Sequence, residues 1–168
     1  MFRTMAWLAD HWLFILNTIS FKALIVPTVV APAFLALGWN AQALVIYDLY
    51  HWMCHQMPER SFFLFDQQMA FCVRDLGMFA GFFASGMAYN LFRGRLKTLP
   101  LWLAVVYSLP IAVDGITQLL GWRESTWELR IVTGAFFGLA TVWYTFPHFD
   151  LFLKLRSRQF KQELAQLA

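Results

Sequence analysis

The sequence predicts an all-α membrane bundle with four transmembrane helices plus interfacial helices, and three observations carry that prediction. Sixty per cent of the 168 residues are hydrophobic and 14% charged, against about 45–50% and about 25% in soluble domains. Aromatic side chains reach 18%, including 18 Phe and 8 Trp, more ring than a soluble core can enclose in a chain this short. The basic residues gather in two short stretches, as they do where a membrane sets the orientation of its helices.

The elements follow in order, as parts of a single membrane domain covering 1–168. Residues 5–21 are apolar but contain Asp10, His11 and Asn17. Charges are costly at the bilayer centre, so this segment reads as a helix along the interface, or else as an additional span. Residues 23–39 are uncharged and near the minimum length for crossing a core of about 30 Å, with Lys22 able to snorkel at one end. Pro27 and Pro32 kink that span. Residues 41–56 recur in an amphipathic pattern too short to cross, which predicts an interfacial or re-entrant helix ended by Pro58. Asp66 is placed to cap a second span over 67–92, which carries the small-residue stripe Gly77-x-x-x-Gly81. Thr98 and Pro100 open a third span over 101–120, with Asp114 and Gln118 one turn apart. Ser125 and Glu128 fit a capping box for a fourth span over 127–149, with a second stripe, Gly134-x-x-x-Gly138. The tail 150–168 reads as a basic amphipathic helix for a membrane surface.

With four spans, the positive-charge rule puts both termini in the cytoplasm, in what reads as a bacterial cytoplasmic membrane. Nine of the 13 basic residues then lie on the inner side and seven of the ten acidic ones on the outer side. A net charge of +3 concentrated in this way fits orientation and not nucleic-acid binding. Two cysteines are too few for a disulfide framework or a four-thiolate metal site. Asp10 and His11 interrupt any signal-peptide pattern.

The same path carries the polar residues to one end of the bundle. His51, Cys54, His55, Arg60, Cys72, Arg74, Asp75, Asp114, Gln118, Arg123, Glu124 and Arg130 all fall toward the outer leaflet. Arg74 and Arg130 flank the two glycine stripes, so stripes that meet would bring two guanidinium groups together. Asp114 is the internal carboxylate best placed to answer them.

Four ordered pieces are Cys54-His55-Gln56-x-Pro58-x-Arg60-Ser61-Phe62, Cys72-x-Arg74-Asp75-x-Gly77, Asp114-Gly115-x-Thr117-Gln118 and Arg123-Glu124-Ser125. Over about 38–149 they resemble a family of small multi-pass membrane proteins of unknown function. The resemblance implies a helical membrane fold and no established activity. Many members carry a second cysteine at the position of Asp75.

Several chemistries stay open for these residues. Cys54 and Cys72 suit a disulfide on an oxidising side, a metal set with His51, His55 and Asp75, packed free thiols, or a redox pair. The two histidines suit zinc or haem ligation, or satisfaction by water at the interface. Arg74, Arg130 and Asp114 suit a structural ion-pair network or an anion site for a lipid phosphate or carboxylate. No Walker loop, Ser-His-Asp pattern or HExxH motif is present. The expected role is a binding or accessory subunit of a larger membrane assembly, energy-transducing by analogy alone, embedded in lipid beside other subunits. The alternatives are an outer-leaflet enzyme acting on a lipid or quinone, and a metal- or cofactor-binding protein.

Overall fold

The computed structural model describes the backbone of residues 2–93 and 95–167 and the side chains of 11–93, 95–156 and 159. Among the described residues the regular secondary structure is helical, apart from one short hairpin. Helix α1 (Phe2–Ile25) runs without a break through a π-helical turn (Val26–Val30) into α2 (Ala31–Ala36). The expected boundary between an interfacial helix and a first span near residue 22 does not occur. No proline or glycine interrupts residues 5–21, so hydrogen bonding continues past Lys22. Pro27 lacks an N–H and crowds the preceding turn, and the helix widens there instead of breaking. The opened turn leaves the Pro27 carbonyl free to accept from the Ala70 amide at 2.8 Å.

Helix α3 (Asn40–His51) is 12 residues long, about 18 Å, and too short to cross a bilayer. It is followed by a 3₁₀ turn (Pro58–Arg60) and a hairpin of β1 (Phe63–Leu64) and β2 (Gln67–Gln68). The hairpin corrects the second expected span. Phe65 and Asp66 occupy its turn at φ +57° and +59°, so Asp66 does not cap a helix. Helix α4 (Val73–Leu91) starts six residues later than expected, with Cys72 at its N-cap.

Helix α5 covers Leu101–Leu119, with Pro100, not Thr98, at the N-cap. Gly121, at φ +70°, closes its C-terminus: the Trp122 amide reaches back to Thr117 O and the Gly121 amide to Gln118 O. Helix α6 (Trp127–Leu167) continues through Pro147 and the expected separate tail as one 41-residue helix. Thr126 supplies its cap, accepting from the Leu129 amide at 3.4 Å, while Ser125 is buried beside it. The amphipathic side-chain pattern expected of the tail lies largely outside the described residues.

Among the described residues, three segments are long and apolar enough to cross a membrane: His11–Ala36, Leu101–Leu119 and Trp127–Arg156. Helix α4 packs between α1 and α6, and α5 packs on the other side of α6. The α4–α6 contact is backbone to backbone. A Cβ on Gly77 would stand 2.5 Å from Ile131 O, and one on Gly138 2.5 Å from Met78 O. The two glycine stripes therefore do meet, and neither tolerates a side chain. At the opposite end from the polar residues, Trp12, Leu13, Tyr89, Val142 and Phe146 form an aromatic core. Arg93 stacks over Trp12 and bonds Asp150 at 2.5 Å, with Lys154 on the second oxygen.

Candidate functional site

The site is built where α4 and α6 begin and α5 ends. In α5 the usual soluble pattern is inverted: Asp114 is its single buried residue, while Val105, Val106, Leu109, Val113, Ile116 and Leu119 face outward. A hydrocarbon solvent explains this, since apolar side chains gain nothing by turning inward and a carboxylate gains a great deal. Asp114, 1% exposed, holds two guanidinium groups. Arg74 Nη2 pairs with its Oδ2 and also donates to Gln118 Oε1 at 3.1 Å. Arg123 Nη2 bonds Oδ1 at 2.7 Å, and its Nε donates to the Thr117 hydroxyl.

Beside this pair the two cysteines come together. Cys54 leaves the last turn of α3, its amide donating to Tyr50 O at 3.0 Å. The peptide N–H of Cys72 donates to Cys54 Sγ at 3.0 Å, and the Cys72 thiol donates to Asp75 Oδ2 at 2.8 Å. Both thiols are free and hydrogen-bonded, so the disulfide, one of the four readings open for the pair, is not formed. The contact with Cys72, and then burial, push the Cys54 thiol well above the ordinary range. The two sulfurs and an Asp75 oxygen lie within 4.8 Å of one another. His51 and His55, both exposed, stand outside that group.

A cavity of about 180 Å³ opens over the cluster. Its lining brings Cys54, Cys72 and Asp75 together with Arg60, Arg74, Gln118 and Arg130, and Met53, His55, Gln56 and Met57 complete it. Arg130 is 6% exposed, and among the described residues it has no carboxylate partner; its Nε is buried without an acceptor. Glu124 is exposed and stays outside this lining.

The framework behind the cavity was not legible as such in the sequence. Gln56, at φ +52°, donates to Tyr47 O at 2.8 Å and to Ala70 O at 3.2 Å. Gln68 Nε2 donates to Gln56 O at 2.5 Å and to the Ser61 hydroxyl at 3.3 Å. Tyr47 in turn donates to Gln68 O. Fully buried Phe71 sits between Tyr50 and Phe79, with ring centroids at 5.0 and 5.1 Å. These contacts clamp the loop bearing Cys54 onto the segment between β2 and α4 that bears Cys72. The only signal for this frame was the presence of Gln56 and Ser61 in the first of the four motifs.

A helical bundle with an inside-out helix and a buried polar end defines a membrane protein. Residues 54–144 match the family described as "Predicted membrane protein (DUF2085)", and the chain belongs to that family. An uncharacterized protein of Methanocaldococcus jannaschii is 35% identical over 155 residues, spanning 88% of this chain and 97% of its own length. An uncharacterized protein of Methanothermobacter thermautotrophicus is 33% identical over 104 residues, 61% of this chain and 94% of its own. No solved structure matches.

Proposed function

We propose that this chain is a four-span binding subunit of a membrane assembly, and that its outer cavity receives a phosphate- or carboxylate-bearing ligand. The observation that carries the ligand reading is Arg130. An ionised side chain deep in a bundle is costly unless a countercharge answers it. Asp114 is already shared by Arg74 and Arg123, and Asp75 accepts from Cys72, so Arg130 and Arg60 line the cavity with no paired carboxylate among the described residues. Guanidinium pairs hold phosphate and carboxylate oxygens in bidentate geometry. The fourth span is α4, whose 19 residues extend about 28 Å. Its lower hydropathy accords with a central position, where glycines and polar groups face other helices rather than lipid. Both termini lie on the cytoplasmic side, with the basic loop at 93–97 and the basic tail.

Binding is measured on detergent-purified protein with inorganic phosphate and, separately, with short-chain phosphatidic acid, which distinguishes a free anion from a lipid headgroup. Wild type is expected to bind one of the two. Arg130→Gln is expected to weaken that binding at least about tenfold while raising the unliganded melting temperature, because a buried unpaired charge is gone. Absence of binding to both probes, or wild-type affinity in Arg130→Gln, overturns the ligand reading.

Lys22 supports the subunit reading. It is the twelfth of the 26 residues in His11–Ala36, exposed on the outer face of α1, and has no ion-pair partner among the described residues. A lysine at that depth calls for a carboxylate on a neighbouring transmembrane helix. In mild detergent, the chain from its native membranes is expected to migrate as part of a larger complex. Lys22→Leu should release it and Lys22→Arg should not. A complex that survives Lys22→Leu unchanged, or a chain that migrates alone from the start, refutes this role for Lys22.

A further inference from the structure

We infer that Cys54, Cys72 and Asp75 form a zinc site with an open coordination position facing the cavity. Zinc accepts thiolate sulfur and carboxylate oxygen in a tetrahedron, and sites with three protein ligands leave the fourth place for water or a ligand. Here two sulfurs and one carboxylate oxygen already lie within 4.8 Å of one another, a spacing that small side-chain rotations close onto one ion. They come from two separately anchored pieces of chain. Cys54 is pinned at the end of α3, Cys72 at the N-cap of α4, and Asp75 in the first turn of that helix. Clamped ligands of this kind give up little further freedom when an ion binds.

The surroundings suit a metal thiolate. The Cys72 amide already points at Cys54 Sγ, a donor that stabilises ionised sulfur. Arg130, Arg74 and Arg60 line the same cavity. With both thiols and the carboxylate ionised, the donor set carries three negative charges. A divalent zinc leaves one, the same as ionised Asp75 alone, so loading does not strip the arginines of countercharge. Loading displaces thiol protons, and occupancy therefore falls as pH falls. A carboxylate in the set favours zinc over monovalent copper, which prefers sulfur alone.

This inference goes beyond the anion reading and does not depend on it. The test uses the full chain in detergent, loaded with zinc, passed into metal-free buffer and analysed for metal. One zinc per chain is expected, with at least about a tenfold loss of affinity in Cys72→Ser and in Asp75→Ala. Asp75→Cys, which exchanges oxygen for sulfur, should keep the zinc. Cobalt in the wild-type site should show the thiolate charge-transfer band and visible bands of a tetrahedral ion. Stoichiometric zinc should shield Cys54 and Cys72 of the wild type from alkylation, a readout that needs no variant to fold. Zinc below about a tenth of an ion per chain, or cysteines alkylated equally with and without zinc, overturns the site. Arg130→Gln should retain zinc; phosphate binding lost there with zinc kept separates the two proposals, and loss of zinc there overturns the independence claimed for this one.

Discussion

Asp114→Asn is expected to destabilise the bundle by about 3–5 kcal/mol, the cost of removing one partner from a buried ion pair. The carboxylate is 1% exposed and accepts from both Arg74 and Arg123. An amide of the same shape leaves two guanidinium groups, one on α4 and one in the turn between α5 and α6, with no shared countercharge. The two arginines do not share the loss equally. Arg123 is 42% exposed and keeps its water, whereas Arg74 is 23% exposed and reaches inward from the α4 stripe. Arg123→Gln should therefore cost no more than about 1 kcal/mol, as for a surface pair. The measurement is loss of the folded, monodisperse species on heating in detergent. A melting temperature for Asp114→Asn no lower than that of Arg123→Gln would show that Asp114 does not hold the three helices together.

The second large effect is expected at the glycine contact between α4 and α6. A methyl group on Gly138 would meet Met78 O at 2.5 Å and the Phe82 amide nitrogen at 2.8 Å. Both are backbone atoms of a helix, so relief requires the whole helix to move. Gly138→Ala should cost about 1–3 kcal/mol, in the range of overpacked cores, and Gly138→Leu should prevent α4 from docking. Gly115→Ala is the control, because the nearest atom to its Cβ is the flexible Arg74 Nη1 at 3.9 Å. Size-exclusion profiles of the three variants give the comparison. Indistinguishable behaviour of Gly138→Leu and Gly115→Ala would mean the helices do not pack along these stripes.

Pattern carried far in some places and failed in others, for reasons that can be named. Residues at 101–120 and 127–149 read correctly as long apolar helices because their hydrophobic runs exceed anything a loop contains. The convergence of Arg74 and Asp114 followed from helix order and from the depth of each residue in its helix. The second span misled because Gln67 to Phe71 contain no proline or glycine to stop a helix. The chain instead turns at Phe65–Asp66, where two positive φ angles occur without a glycine to announce them. The first span misled in the opposite direction: Lys22 looked like a boundary, and the helix passes straight through it. Hydropathy registers charge but not whether a neighbouring helix will answer it.

Composition and order alone determined that this chain is a helical membrane bundle and that Cys54, Cys72, Arg74, Asp114 and Arg130 fall toward one end of it, because a hydrocarbon solvent drives such groups together and away from lipid. Only the tertiary structure decided how those side chains divide. Asp114 goes to Arg74 and Arg123, Asp75 goes to Cys72, and Arg130 is left facing the cavity. Which acid serves which base depends on side-chain reach across three helices whose rotation is set by glycine contacts, and no spacing along a single chain encodes that rotation.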